Sequence, residues 1–409
     1  LRWVPDSGVL PEVIMNIKNN VWLLMGCQGL TMSIASFVVF LGSIIGRDLA
    51  PDPAYATAPV GALVLGSAVA TLPVILSMRR YGRKPVFIGC ALLAALGSLL
   101  AIYALELQSF GLFLAAVLVL GLGLAAGQQY RFAAMESVAV EDAPKAASRV
   151  LIGGIVAAFL GPELAVRGEN LLAVAYQGSF TLLIAVSLAA TAMLFLFREL
   201  PRNGDGDRGD GRTLSAILGQ PVIWVAVLSG AAGFAVMSLI MTATPLHMHF
   251  ENGHSLVDTK WVIQSHIVAM FLPSFLVPWI VRRIGVLGLI TAGMIIFLAM
   301  VVVIFSHYDF FNYWVSLVLL GIGWNFLFVG GTTLLPQGYR DSERFKVQAL
   351  NDFTIFGVQA ISALMAGWIL ATFGWQLLLL ITIPVLLLLA SAIFYWLWVS
   401  RKPALKLGN

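Results

Sequence analysis

The chain has 409 residues, of which 60% are apolar and only 11% charged, with a formal net charge of +4. That composition, with a mean hydropathy of +0.93, excludes a water-soluble globular domain and identifies a polytopic membrane protein. The weak positive balance carries no nucleic-acid footprint. With no nucleotide loop, zinc-protease helix or nucleophile elbow present, enzymatic activity is not expected.

Apolar stretches of about 19 to 25 residues, the length a bilayer core requires, mark membrane spans. Twelve are found, centred near residues 33, 69, 96, 122, 158, 187, 235, 272, 297, 325, 361 and 387. The chain leads in with a polar, amphipathic segment and turns apolar near Val21. It shows no small-residue cleavage site behind a short apolar core, so a removed signal peptide is not expected. Of the 24 Lys and Arg residues, only Arg47, Arg167 and Lys260 fall on one side of the spans. The rest lie in the N-terminal segment (Arg2, Lys18), the even-numbered loops with adjacent helix ends, and the tail (Arg401, Lys402, Lys406). Cytoplasmic loops retain positive charge, so both termini are expected in the cytoplasm of a multi-pass protein.

The longest polar stretch, Arg198 to Pro221, is rich in Gly and Asp and reads as a linker between halves. The expected organisation is a six-helix bundle over 1–200, a cytoplasmic linker over 201–220, and a second six-helix bundle over 221–409. Weak self-similarity at an offset near 200 supports duplication. Gly121-Leu-Gly123 recurs as Gly321-Ile-Gly323, and Arg79-Arg80-Tyr-Gly82 as Arg282-Arg283-Ile-Gly285.

Between the second and third spans, Arg79, Arg80, Gly82, Arg83 and Lys84 form a basic loop followed by Pro85. With twelve spans and a central linker, this loop resembles that of the major facilitator superfamily, and the resemblance covers essentially the whole chain. It implies an all-α membrane fold of two pseudo-twofold-related six-helix bundles, alternating access, and a gating role for the loop. Arg79 stands where the family usually has an aspartate, and Ile75 where it has a glycine, so the acidic half of the gating latch is missing locally. Val117 occupies the position of an arginine common in proton-coupled members. The fifth span keeps only a fragment of the antiporter glycine pattern, Gly154 and Gly161-Pro162. A proton-driven exporter is therefore not expected, and the driving ion stays unassigned.

Four soft donors fall on consecutive spans at i,i+4 spacing: Met237 with Met241, and His266 with Met270. At a rise of about 1.5 Å per residue, Met241 comes level with His266 and Met237 with Met270, as two rungs descending to the midplane. Thioether and imidazole suit copper(I), which neutral ligands can hold and release. Zinc or magnesium would call for thiolates or carboxylates, absent at this level. His266 is the one histidine deep in a span, where an ionisable group is expensive to bury; methionine is otherwise a common filler of apolar interfaces.

This Met-x-x-x-Met and His-x-x-x-Met pair resembles the signature of the CcoA-type copper importers, a bacterial branch of the superfamily. The resemblance implies copper bound at these four residues and imported across the cytoplasmic (inner) membrane for haem-copper oxidase assembly. Copper, as free ion or chelate, is then cargo, with no resident cofactor. The expected partners are the bilayer and a cytoplasmic copper acceptor, and the protein is expected to be a monomer. His247, Met248 and His249 could collect copper at the outer mouth, and Cys27, Cys90, Met25 and Met32 could pass it inward. Solvated histidines and ordinary buried thiols are the plain readings of the same residues. Arg131, Glu136, Glu163 and Asp352 could carry protons or simply pair, and Asn351 lies near an interior face. Two other functions stay open. One is transport of a small organic solute with the Met residues only packing, for which Trp324 and Phe326 would suit a planar ligand; the other is a non-transporting receptor or scaffold.

Overall fold

The computed structural model describes residues 11–138, 143–199, 212–340 and 343–401. Most of the expected linker, and Arg2, Lys402 and Lys406 among the charges counted for orientation, lie outside the described residues. Every regular element among the described residues is helical: α1 (Pro11–Leu49), α2 (Ala58–Tyr81), α3 (Arg83–Glu106), α4 (Phe110–Leu124), α5 (Tyr130–Glu136), α6 (Ala143–Gly168), α7 (Gln177–Phe195), α8 (Leu214–Leu218), α9 (Pro221–Leu246), α10 (Leu256–Phe271), α11 (Val277–Ser306), α12 (Phe310–Leu334), α13 (Arg344–Leu380) and α14 (Thr382–Arg401), with short 3₁₀ and π turns between some of them.

Contacts divide the chain at 45/46, 61/62 and 203/204 into two compact units, the first holding most of α1 and α2 with α3 to α7, the second holding residues 46–61 and α8 to α14. Ten described helical stretches are long and apolar enough to cross a membrane. The other two expected spans correspond to α6 and to α10, which has only 16 residues and continues through a 3₁₀ turn, Leu272–Phe275, into the start of α11. Pro273 has no N–H to give, and pairing across the turn shifts to the shorter i−3 pattern, as in Leu276 N–H to Pro273 O at 2.8 Å. The path then reverses at Gly285 inside α11 and, for the last pair of crossings, at Gly374 inside α13.

The duplication seen in the sequence recurs in the geometry. Gly82 (φ 95°, ψ 167°) and Gly285 (φ 74°, ψ 172°) make the same helix-reversing turn, in a backbone region essentially reserved for glycine. The Ser109 side chain accepts the Leu112 N–H at the start of α4, and the Asp309 carboxylate accepts the Asn312 N–H at the start of α12. A methyl group on Gly121 would fall 2.2 Å from the Leu63 carbonyl of α2, and one on Gly123 would fall 2.8 Å from the Cys90 carbonyl of α3. Gly321 and Gly323 repeat this on α12: the first faces the His266 carbonyl of α10 at 2.6 Å, the second the Phe297 ring of α11 at 2.4 Å. The glycine pair thus lets one central helix lie against two neighbours in each unit.

The core of the first unit gathers Leu24, Cys27, Phe87, Cys90, Tyr130, Val150 and Leu194. Phe87 meets Tyr130 edge-on at 4.7 Å, and the Asn20 amide ties α1 to the far end of the unit through the Arg198 carbonyl at 2.8 Å. In the second unit α9 packs on α12 and α13, and α10 packs on α12. Ser229 and Ser238 of α9 hydrogen-bond the carbonyls of Leu327 on α12 (2.7 Å) and Gln359 on α13 (3.2 Å).

Candidate functional site

Several buried polar groups of the second unit gather along the seam between α10 and α12. Leu317, Gly321 and Asn325 form an i,i+4 row on α12, and His266, Met270 and Ser274 form the matching row on and just beyond α10. The two rows run in the same direction. The His266 Nδ1–H donates to the Leu317 carbonyl at 2.7 Å, Gly321 admits the α10 backbone beside it, and the Asn325 amide reaches the end of the row. A carbonyl can only accept, so the hydrogen bond fixes the proton of the neutral imidazole on Nδ1. The ring is fully buried and its Nε2 makes no hydrogen bond.

Asn325 is held by the break in α10. Its Nδ2 donates both to the Met270 carbonyl and to Ser274 Oγ, each at 2.7 Å. The first of these is a main-chain acceptor at the junction where α-helical pairing gives way to 3₁₀. With both N–H groups so used, the Asn325 Oδ1 is left bare, although the residue is only 1% exposed.

One position earlier, the Trp324 indole is the centre of an aromatic nest. It meets Phe234 of α9 edge-on at 5.1 Å, stacks on Phe328 at 5.2 Å and 19°, and lies 6.2 Å from Phe271 of α10. Phe234 also meets Phe356 of α13 at 5.9 Å. The Trp324 Nε1–H is buried and makes no hydrogen bond. Phe234 and Trp324 lie midway along their helices, where transporters built of paired bundles hold their cargo.

Met237 and Met241 are buried on α9, at 5% and 6% exposure, and Met270 is half-buried on α10. α12 packs extensively against both α9 and α10, which are not themselves close-packed neighbours. Two antiparallel rungs assume that consecutive helices stand side by side, and here α12 is the shared neighbour. His247, Met248 and His249 lie in a π-helical turn closing α9. They do not share an open face. Met248 is fully buried, and His247 stacks on Trp375 at 4.4 Å and 10°, takes a hydrogen bond from the Tyr313 hydroxyl, and lies 3.4 Å from the Glu251 carboxylate. His249 Nδ1 bonds the His254 carbonyl at 2.9 Å.

Cys27 and Cys90 are both free thiols in the core of the first unit, and the Met32 methyl lies beside Gly127. Met25 is half-buried on α1. Among the described residues no three His, Cys, Asp or Glu side chains gather as a metal-binding group.

The basic loop is organised by acids from elsewhere in the first unit. Arg83 pairs with Glu136 at 2.6 Å, and the Glu199 carboxylate accepts the main-chain N–H groups of Arg83 (2.5 Å) and Lys84 (3.3 Å) at the start of α3. The negative charge complements the N-terminal end of the helix dipole, in place of the local aspartate the loop lacks. Lys84 Nζ reaches the Phe195 carbonyl at 2.6 Å, and Arg79 and Arg80 are exposed. Of the other charged residues singled out, Glu163 pairs with Arg167 at 2.7 Å, and Asn351 bonds Asp352 at 3.2 Å.

Sequence reasoning missed Asn325, Ser274 and Glu199. Only Asn325 left a visible signal, a single amide in the apolar run around Trp324.

Residues 21–358 match the sequence model of the Major Facilitator Superfamily. The chain is 32% identical over 374 residues to the riboflavin transporter RfnT of Brucella anthropi, covering 91% of this chain and 94% of the relative. It is 27% identical to the uncharacterized MFS-type transporter YddS of Bacillus subtilis, covering 89% and 88%. Among solved structures, a mutant of the nucleoside transporter NupG superposes with a TM-score of 0.74 at 13% identity, covering 93% of this chain and 99% of that one. A bacterial homologue of the human lysosomal transporter Spinster, inward-facing and occupied, gives 0.72 at 14%, covering 92% and 96%. At such identities the structures speak to fold alone, but the family match spans most of the chain: this protein belongs to the major facilitator superfamily of secondary transporters.

Proposed function

We propose that the chain carries a planar, hydrogen-bonding organic solute of the riboflavin class into the cell by alternating access. The observation that carries this reading is the mid-helix nest of Phe234, Trp324, Phe328 and Phe356, beside the bare Trp324 N–H and Asn325 carbonyl. Aromatic faces bind a flat heterocycle by offset stacking and exclude water, and a few buried polar atoms orient it. The relative that is 32% identical bears the name of a riboflavin transporter, which supports the same solute class. The proposed setting is a bacterial cytoplasmic membrane with both termini inside, and the protein acts as a monomer. The test is growth and labelled-riboflavin uptake in a bacterium that neither makes nor imports the vitamin. Expression of this chain restores both and Trp324→Ala abolishes both at equal protein level; absence of uptake with the intact chain overturns the reading.

One observation favours a second reading, import of copper(I) as cargo. The His266 Nε2 lone pair is buried and bare, the state in which imidazole binds a soft metal ion. In that reading Met237, Met241 and Met270 complete the path, as in the CcoA-type importers, and a cytoplasmic acceptor takes the ion on for oxidase assembly. Radioactive copper uptake lost in each of Met237→Ala, Met241→Ala, His266→Ala and Met270→Ala would establish it. Unchanged copper uptake in the quadruple variant would remove it.

A further inference from the structure

We propose that Asn325 is the residue that selects the cargo, accepting a hydrogen bond from an N–H on the edge of the solute ring, with Trp324 donating to the carbonyl beside that N–H. The inference rests on the flavin-class reading and adds to it which edge of the molecule is read and by which atoms.

The orientation of the Asn325 amide follows from its partners. Both the Met270 carbonyl and the exchangeable Ser274 hydroxyl can be served by the NH₂ end, and the carbonyl can be served only by it. The opposite end, Oδ1, is therefore a pure acceptor with two lone pairs in an interior that offers it nothing. Stapling the break in α10 accounts for the NH₂ and leaves Oδ1 unexplained. It likewise leaves unexplained the bare N–H on the neighbouring indole. Within a membrane domain an unserved polar atom is costly to keep.

The first unit shows that the seam closes without these atoms. There Gly121 of α4 packs on α2 as Gly321 packs on α10, with Leu63 where the second unit has His266, and with Leu124 and Ala125, at the end of α4, where it has Trp324 and Asn325. Pro73 lies inside an unbroken α2, whereas the chain at Pro273 leaves the α-helix. Proline alone therefore does not impose the break. At this seam the bare indole N–H and amide oxygen belong to the second unit, beside the interrupted α10, and transporters of paired bundles place cargo contacts at such interrupted helices.

A ring imide, in which a carbonyl adjoins an N–H, offers a partner to each of these two bare atoms. The pyrimidinedione edge of riboflavin carries that pair. A site built to serve a solute N–H rejects the analogue that lacks it more strongly than a purely apolar pocket could.

The test uses the full chain in lipid nanodiscs, with flavin fluorescence quenching as the binding readout. The probes are riboflavin and riboflavin methylated at the imide nitrogen. The unmodified protein is expected to prefer riboflavin by roughly tenfold or more, the worth of one buried hydrogen bond. Asn325→Leu erases the preference. Ser274→Ala removes one support of the amide but leaves Oδ1, and keeps the preference. Trp324→Phe retains a ring but not the donor, so it weakens both flavins by a similar factor while the preference stands; this arm does not depend on Asn325→Leu folding. A folded Asn325→Leu that still discriminates, or an unmodified protein that binds both flavins equally, overturns the role of Asn325. Trp324→Phe binding like the unmodified protein overturns the donor half. Failure of the unmodified protein to bind either flavin overturns the cargo class itself.

Discussion

The close approach of α10 to α12 at Gly321 can be tested by adding a single methyl group. In Gly321→Ala the new Cβ would lie 2.6 Å from the His266 carbonyl oxygen, 2.9 Å from the Ala269 Cβ and 3.0 Å from the Ala269 carbonyl carbon. Two of these three atoms are backbone, so relief requires α10 to move as a body. Overpacking of this kind costs about 1–3 kcal/mol. A shift of α10 also stretches the hydrogen bond from His266 to Leu317, worth about 1 kcal/mol. Against this, alanine gains about 0.5–1 kcal/mol over glycine within a helix. The balance is a net loss of about 1–3 kcal/mol. Gly89→Ala in α3 is the matched control, since nothing lies within 4 Å of its added methyl group. The measurements are the thermal unfolding midpoint of the solubilised protein and solute uptake at equal expression. Gly321→Ala should lower both, and Gly89→Ala should leave uptake unchanged and the midpoint equal or higher. If the two variants behave alike, the seam is not close-packed as described and the placement of His266 and Asn325 loses its basis.

Gly285→Ala separates backbone strain from crowding, because its methyl group meets nothing within 4 Å while φ is +74°; a loss of about 1–3 kcal/mol is expected, read from the unfolding midpoint. Asn20→Leu removes the amide that bridges Ser137 and the Arg198 carbonyl, and should cost about 1–3 kcal/mol by the same assay. Glu343, outside the membrane spans, is held down to about 2 from an ordinary 4.5, first by the two-pronged hydrogen bond from Arg212 and further by the main-chain N–H groups of Arg340 and Arg212. A depressed carboxylate contributes stability that is fully present above about 4.5 and is lost as the pH falls towards about 2. Glu343→Gln should therefore lower the midpoint at neutral pH and flatten its decline on acidification, and an unchanged pH profile would show that the pair contributes nothing.

The fold was legible because its signals are local and repeated. Apolar span length, the basic loop at Arg79 to Lys84, and the duplicated Gly-x-Gly and Arg-Arg-x-Gly motifs all survive as helices, close approaches and matched reversing turns. Which helices touch is a different kind of information. Period and depth placed Met241 level with His266, but α10 packs in the same direction as α12, two helices further along, and nothing in the spacing of α9 and α10 announces that. The acid behind the basic loop escaped for the same reason, since Glu199 is 116 residues from the Arg83 N–H it accepts. Asn325 was visible as a polar intruder in an apolar run. Its meaning was hidden because Met270 and Ser274, which orient it, lie on another helix.

The interruption of α10 and its absence from α2 make the two halves unequal in what mutation can do to them. If Asn325 and Trp324 read the cargo as proposed, drift along the α2–α4 seam changes how well the protein folds, whereas drift along α10 and α12 changes what it carries. On that reading, a library aimed at a new cargo begins with the few positions around the interrupted α10.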